Sequence, residues 1–425
     1  MDGDPITVTL DPPGPPPPPP PPSMSFLVNT LEDTHDADLT DGVALDANGM
    51  TSLRAALEQS NETATGSIIQ FDTQLGINGD AVIELVGSRL VIEAPTHIKG
   101  SSGFRIIVTL SNGLQSNLLR IDMVAGEQSI IEHINFEGGY TVFNGGAIYH
   151  DSGELILNDV ILANNYTSGR GGGIFVSGNN TKLTLNGVAI ISNIAEQGGG
   201  GIYSEVGFTA TYSQIALNHS DGNGGGIHTD GATYLNNVEV NGNSSGANGG
   251  GIYHSSLFGP EALVINNSTI ESNTASGDGG GIFQAGLGFS SISINNTYII
   301  LNHAYNGGGI YFQNTGHIQN SFIDNNVANN GGGICNEQAD LSVSNTTFIG
   351  NWAYEYGGAL YLLVGSSVFS ECIFSNNLAG LSFGAGMYGA DVALKNIGVG
   401  QFSWPYYLFE NCYSIEGLDI VWDPR

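Results

Sequence analysis

The sequence predicts an all-β chain: a right-handed parallel β-helix, a three-sided solenoid with coils of about 24–30 residues and a short N-terminal capping helix. Three observations carry this. A Gly-Gly-Gly-Ile-aromatic marker recurs from about residue 130, its Ile-type residue falling at Ile148, Ile174, Ile202, Ile227, Ile252, Ile282, Ile310, Ile334, Leu360 and Met387. An Asn precedes most markers by 8 to 11 residues, at Asn164, Asn193, Asn218, Asn243, Asn273, Asn302, Asn325, Asn351 and Asn376. Composition agrees: Gly is 63 of 425 residues and charged residues are only 12%, about half the usual share of roughly 25%.

Each coil then holds three short strands, one ending in Gly-Gly-Gly-Ile-Tyr and two ending at Asn. Gly tolerates the left-handed backbone of a tight corner, and Asn tolerates it next best. One coil buries too little to fold alone, so stacking supplies the core.

Four segments follow in order. Residues 1–11 contain Ile6-Thr7-Val8-Thr9-Leu10, a strict alternation that reads as one β-strand. Residues 12–23 hold ten prolines, a polyproline II linker of about 30 Å at ~3.1 Å per residue. Residues 24–75 form a cap with an acidic loop and a helix over 51–60, Thr51 or Ser52 being its N-cap. Residues 76–425 form the β-helix, irregular at first.

Two stretches carry a family resemblance. Thr51-Ser52-Leu53-Arg54-Ala55-Ala56-Leu57 followed by Ile68-Ile69-Gln70-Phe71 resembles the CSLREA-type segment of secreted bacterial and archaeal β-helix proteins, with Thr51 in place of the family's Cys and Ala55 where Glu is usual. Phe348-Ile349-Gly350-Asn351 followed by Gly357-Gly358-Ala359-Leu360 resembles the repeats of polymorphic outer-membrane-protein passengers. Both resemblances imply an extracellular or cell-surface protein.

Net charge is −31, which repels phosphate backbones and anionic lipid and excludes nucleic acid as a partner. No apolar run of about 18 residues provides for membrane insertion. Met1-Asp2-Gly3-Asp4 is not expected to be a leader peptide. Three Cys (Cys335, Cys372 and Cys412) make no disulfide framework. Nine Asn-x-Ser/Thr sequons favour secretion, and Asn61, Asn165 and Asn179 lie off the corner columns as candidate glycosylation sites.

Catalytic constellations are sparse. A polysaccharide lyase needs a cation to neutralise a uronate, yet no Lys or Arg lies between Lys182 and Lys395. A hydrolase needs paired carboxylates. Glu196 and Asp221 each stand six residues before a marker, and Glu205 and Asp230 each stand three after one, so each pair shares a column. An aromatic column follows the marker, from Tyr149 through Phe175, Tyr203, His228, Tyr253, Phe283 and Tyr311, either a stabilising stack or a sugar-contact stripe. The loop acids Asp36, Asp38 and Asp41 alternate as calcium ligands do without an EF-hand spacing, leaving calcium possible and no other cofactor expected.

These features predict a non-enzymatic structural protein. Identical subunits would join head to tail in a filament as residues Ile6, Thr7, Val8, Thr9 and Leu10 of one add as a strand to the open end of the next. The alternatives are a secreted polysaccharide-active β-helix enzyme, with Glu196, Asp221, Glu205 and Asp230 as its acids, or a monomeric adhesin that contacts glycans.

Overall fold

The computed structural model describes residues 24–423 apart from 64–65, 256–261, 287–290, 338–339, 364–366, 381–391, 396–406, 411–412 and 415–419. The expected donor strand Ile6–Leu10 and the proline linker lie outside the described residues. The chain is a parallel β-solenoid of about 11 turns. The markers stack in register from Ile148 through Ile174, Ile202, Ile227, Ile252, Ile282, Ile310 and Ile334 to Leu360.

A representative coil shows how the sequence is folded. The marker strand Ile202–Ser204 is followed by Phe208–Thr211 on the second sheet and Gln214–Ala216 on the third. The two-residue strand His219–Ser220 adds a short fourth side before the next glycine turn. On the second and third sheets, alternate residues point inward, so the core is a single column of Ile, Leu, Val and Phe. Marker strands are buried on both faces, Ile174 and Val176 inward and Phe175 outward beneath the glycine turns.

The corners explain the two punctuating residue types. From Ile161–Ala163 to Ile373–Ser375, each third-sheet strand is followed by a residue with positive φ, such as Leu217 at 56° or Gly242 at 62°, and then a buried Asn. Where the sequence has an Asn pair, the first takes the corner and the second the ladder. The buried ladder therefore contains Asn165, Asn326 and Asn377 rather than the expected Asn164, Asn325 and Asn376, which sit at φ 55°, 51° and 54°. Side chains along the ladder bond from coil to coil: Asn243 Nδ2 donates to Ile215 O (2.8 Å) and to Asn273 Oδ1 (3.0 Å), and its own Oδ1 accepts from Asn218 N (2.9 Å). The glycine runs answer to close approach between coils. A Cβ on Gly200 would lie 2.3 Å from Gly225 O.

Segment 24–75 joins this stack directly. Strand Met24–Val28 pairs in parallel with Ser67–Phe71, which pairs with Thr96–Lys99. The helix Leu53–Asn61 packs against Met24–Val28, Ser67–Phe71 and the strand Leu90–Ile92, and Ser52 is its N-cap, accepting from Ala55 N. Arg54 is buried there on a bidentate bond to Asp33 (2.7 and 3.0 Å) and also donates to Arg89 O, which ties the helix to the next coil. Among the described residues no helix is long and apolar enough to cross a membrane.

Candidate functional site

Three columns meet along the outer edge of the marker sheet. Directly after the marker runs the ladder Arg120, Tyr149, Phe175, Tyr203, His228, Tyr253, Phe283, Tyr311, Cys335 and Tyr361. Its rings stack, with centroids 4.1 Å apart at Tyr203–His228 and 5.2 Å at Tyr253–Phe283 and Phe283–Tyr311. Most of these rings are buried, so the column stabilises the rod more than it offers an open stripe for sugars.

Three residues after the marker, where each strand turns toward the second sheet, stand Asp151, Ser177, Glu205, Asp230 and Ser255. Four residues before it, in the glycine turn, stand Asn144, Arg170, Gly198, Asn223, Asn248 and Asp278. Around Tyr203 these columns converge. The Arg170 guanidinium lies 4.9 Å from the Tyr203 ring centroid and 3.7 Å from Glu205. The Tyr203 hydroxyl donates to Asp230 Oδ2 at 3.2 Å, and His228 Nε2 meets Asp230 Oδ1 at 3.2 Å. Ser255 Oγ donates to the same Oδ1.

The environment separates the acids. Burial pushes Asp230 up, but hydrogen bonds from His228, Ser255 and Tyr203 outweigh it and hold the carboxyl below its ordinary value. Glu205 goes the other way: burial raises it, and the charges of Asp230 and Asp151 raise it further against the opposing pull of Arg170. Burial and then the Asp230 charge push the Tyr203 hydroxyl well up, so it keeps its proton. An ionised carboxylate, a carboxyl tuned upward, a protonated phenol and a guanidinium thus share one edge. Such divergence is what acid–base chemistry requires.

The same edge continues toward the N-terminus. Arg120 is 5.9 Å from the Tyr149 ring centroid and pairs with Asp122 (2.8 Å) and Asp151 (3.1 Å). Arg89 is close enough that burial and the Arg120 charge together lower its pKa. Three of the nine basic residues therefore gather here.

The other residues singled out by sequence lie elsewhere. Glu196 and Asp221 are exposed beside the short fourth sheet; Glu196 accepts from the Tyr166 hydroxyl, whose pKa this bond pushes up to about 12, and Asp221 pairs with His219 at 3.1 Å. A glycine turn separates them from Glu205 and Asp230. The loop acids Asp36, Asp38 and Asp41 accept from backbone amides of their own loop, at Asp38, Thr40 and Val43. Among the described residues no three His, Cys, Asp or Glu side chains converge as a metal site. Asn165 is buried in the inner ladder, which leaves no room for a glycan; half-buried Asn61 donates to Val91 O and accepts from Glu93 N, and Asn179 stands in an exposed turn. Sequence reasoning missed Arg170 and Arg120, each visible as an offset: Arg170 stands four residues before a marker, and Arg120 continues the aromatic column one coil before Tyr149.

A Chlamydia polymorphic membrane protein repeat matches residues 345–362. No curated protein matches the chain. Among solved structures the chain is similar to the A-module of the Azotobacter vinelandii mannuronan C-5 epimerase AlgE6, with a TM-score of 0.50 and 13% identity over 92% of this chain and 99% of that one. It also matches the A-module of AlgE4 from the same organism, with a TM-score of 0.38 and 12% identity over 94% and 98%. The shared feature is the parallel β-helix fold.

The expectation of a non-enzymatic chain is corrected at this point. The AlgE6 module, which shares the parallel β-helix over 92% of this chain, is part of a mannuronan C-5 epimerase, against that expectation. Its premise also fails physically. The gap in Lys and Arg begins after Lys182, but stacking brings Arg170 of the preceding turn onto Tyr203 and Glu205.

Proposed function

We propose that the chain is a surface or secreted polysaccharide-active β-helix that moves a proton next to the carboxylate of a uronate polymer. The observation carrying this is the convergence of Arg170, Tyr203, Glu205 and Asp230 on one edge, with their protonation states driven apart. The neighbours' action on mannuronan and the surface-protein repeat support the same class. The CSLREA-like segment at Thr51–Leu57 agrees with secretion.

The roles follow from charge. Arg170 pairs with the substrate carboxylate and stabilises the negative charge that builds on it as the adjacent C–H bond breaks. Glu205, partly exposed and tuned upward, accepts that proton. The Tyr203 hydroxyl keeps its proton and holds ionised Asp230 in place, and solvent water supplies the proton for the opposite face or for the departing glycosidic oxygen. Return of a proton to carbon gives an epimer; loss of the oxygen gives an unsaturated chain end. Screening confines the −31 net charge to within about 8 Å of each surface group at physiological ionic strength, so the local guanidiniums govern approach.

The test is solvent exchange. Polymannuronate, polyguluronate and polygalacturonate incubated with the full chain in D2O should gain deuterium at C5, read by NMR. Arg170→Ala and Glu205→Gln should lose about 100-fold or more. Asp230→Asn should move the acid limb of the rate profile to lower pH, because it removes a charge that raises Glu205. Absence of exchange on all three polymers, or exchange untouched by Arg170→Ala, would falsify the assignment.

A further inference from the structure

The arrangement around Tyr203 occurs a second time, four coils further on. Arg170 stands 33 residues before Tyr203, and Asp278 stands 33 before Tyr311, both in the column four residues ahead of a marker. Each tyrosine donates to a carboxylate one coil later, Asp230 at 3.2 Å and Glu337 at 2.7 Å. Between the two clusters the edge carries Ser255 and then Ala285, so the polar line breaks and resumes at Gln313 and Glu337. At ~4.8 Å per coil the tyrosines are about 19 Å apart.

What changes is the charge. The guanidinium of the first cluster is replaced by the Asp278 carboxylate, whose Oδ1 accepts from Asn306 N (3.1 Å) and Nδ2 (2.9 Å). Gln313 Nε2 donates to Glu337 at 2.8 Å. With no Lys or Arg between Lys182 and Lys395, these coils have nothing to neutralise a bound carboxylate. Carboxylates do accept strong hydrogen bonds from hydroxyls. Tyr305, 57% exposed, directly precedes Asn306, whose amides bond Asp278, and is an aromatic ring open to a ligand.

We infer that Asp278, Tyr305, Tyr311, Gln313 and Glu337 form a second carbohydrate subsite, which takes uncharged sugar residues through their hydroxyls and rejects uronates. The inference rests on the proposed activity for the polymer's course along the edge. A chain gripped by its carboxylate at Arg170 reaches this subsite four coils away, so the preferred substrate carries neutral and acidic residues on one strand.

Binding rather than turnover tests it. Calorimetry on the full chain would compare polymannuronate with the same polymer after carboxyl reduction, which keeps the hydroxyls and removes the charge. The reduced polymer should bind; Glu337→Gln should weaken it about tenfold, the size of one charge-assisted hydrogen bond, and Tyr305→Ala about fivefold, the size of one aromatic contact. Arg170→Ala should leave that binding unchanged. Glu337→Gln should tighten polymannuronate, because it removes a repelling charge. Failure of the reduced polymer to bind, insensitivity to both variants, or equal weakening of both polymers by Glu337→Gln would each overturn the subsite. A protein that binds the reduced polymer yet exchanges no deuterium would keep the subsite and lose the proposed activity.

Discussion

His150 shows how a single side chain can set the acid tolerance of the rod. It occupies the inward column that Val176 fills one coil later, fully buried, with Nε2 meeting Gly153 O at 3.2 Å and Nδ1 without a partner. Burial lowers its pKa from 6.5 to about 4, so it is neutral in the native state. The unfolded chain binds a proton near 6.5, and the stability that neutral His150 supports above that value is lost as pH falls through the window down to about 4. A shift of that size corresponds to about 3 kcal/mol. His150→Val should therefore flatten the fall in melting temperature between pH 6.5 and 4, even if it costs some stability at pH 7. An unchanged slope would assign the acid sensitivity to other groups.

At the scale of the element, the inner Asn ladder is the most exacting part of the fold. Removing the Asn243 side chain leaves Ile215 O without its donor and Asn218 N without its acceptor, in a site only 1% exposed. Each orphaned group costs about 1–3 kcal/mol, so Asn243→Ala should lose about 3 kcal/mol or more in urea denaturation. A loss under 1 kcal/mol would mean that water replaces the ladder. This element was legible in the sequence because its spacing repeats, but its register slipped by one at Asn164, Asn325 and Asn376. Pattern alone does not tell which of two adjacent Asn takes the left-handed corner. The marker column and the helix cap at Ser52 were equally legible, since glycine close approach and capping are local demands. The candidate site was half legible. Glu205 and Asp230 share a column in sequence, but Arg170 belongs to another turn and meets them only when coils stack.

For the whole molecule, charge is the dominant long-range term. With 40 acids against 9 bases, the folded rod concentrates repulsion that the expanded chain relieves. Adding salt from about 10 to 200 mM shortens the screening length from roughly 30 Å to under 10 Å. The melting temperature should rise over that range by several degrees, followed by circular dichroism. A fall would mean that the ion pairs at Arg54, Arg120 and Arg170 outweigh the net charge.

Every coil advances the chain by one strand spacing, so the clusters at Tyr203 and Tyr311 are set apart in whole rungs. Gain or loss of a single repeat between them, such as the 25 residues 231–255, would slide one cluster against the other by about 4.8 Å and leave Arg170, Tyr203, Glu205 and Asp230 on one side and Asp278, Tyr311 and Glu337 on the other in place. The rod is graduated like a ruler. The length it measures along a bound polymer is set by the number of marks, and lineages could tune it by duplicating or deleting a mark without redesigning any residue at either end.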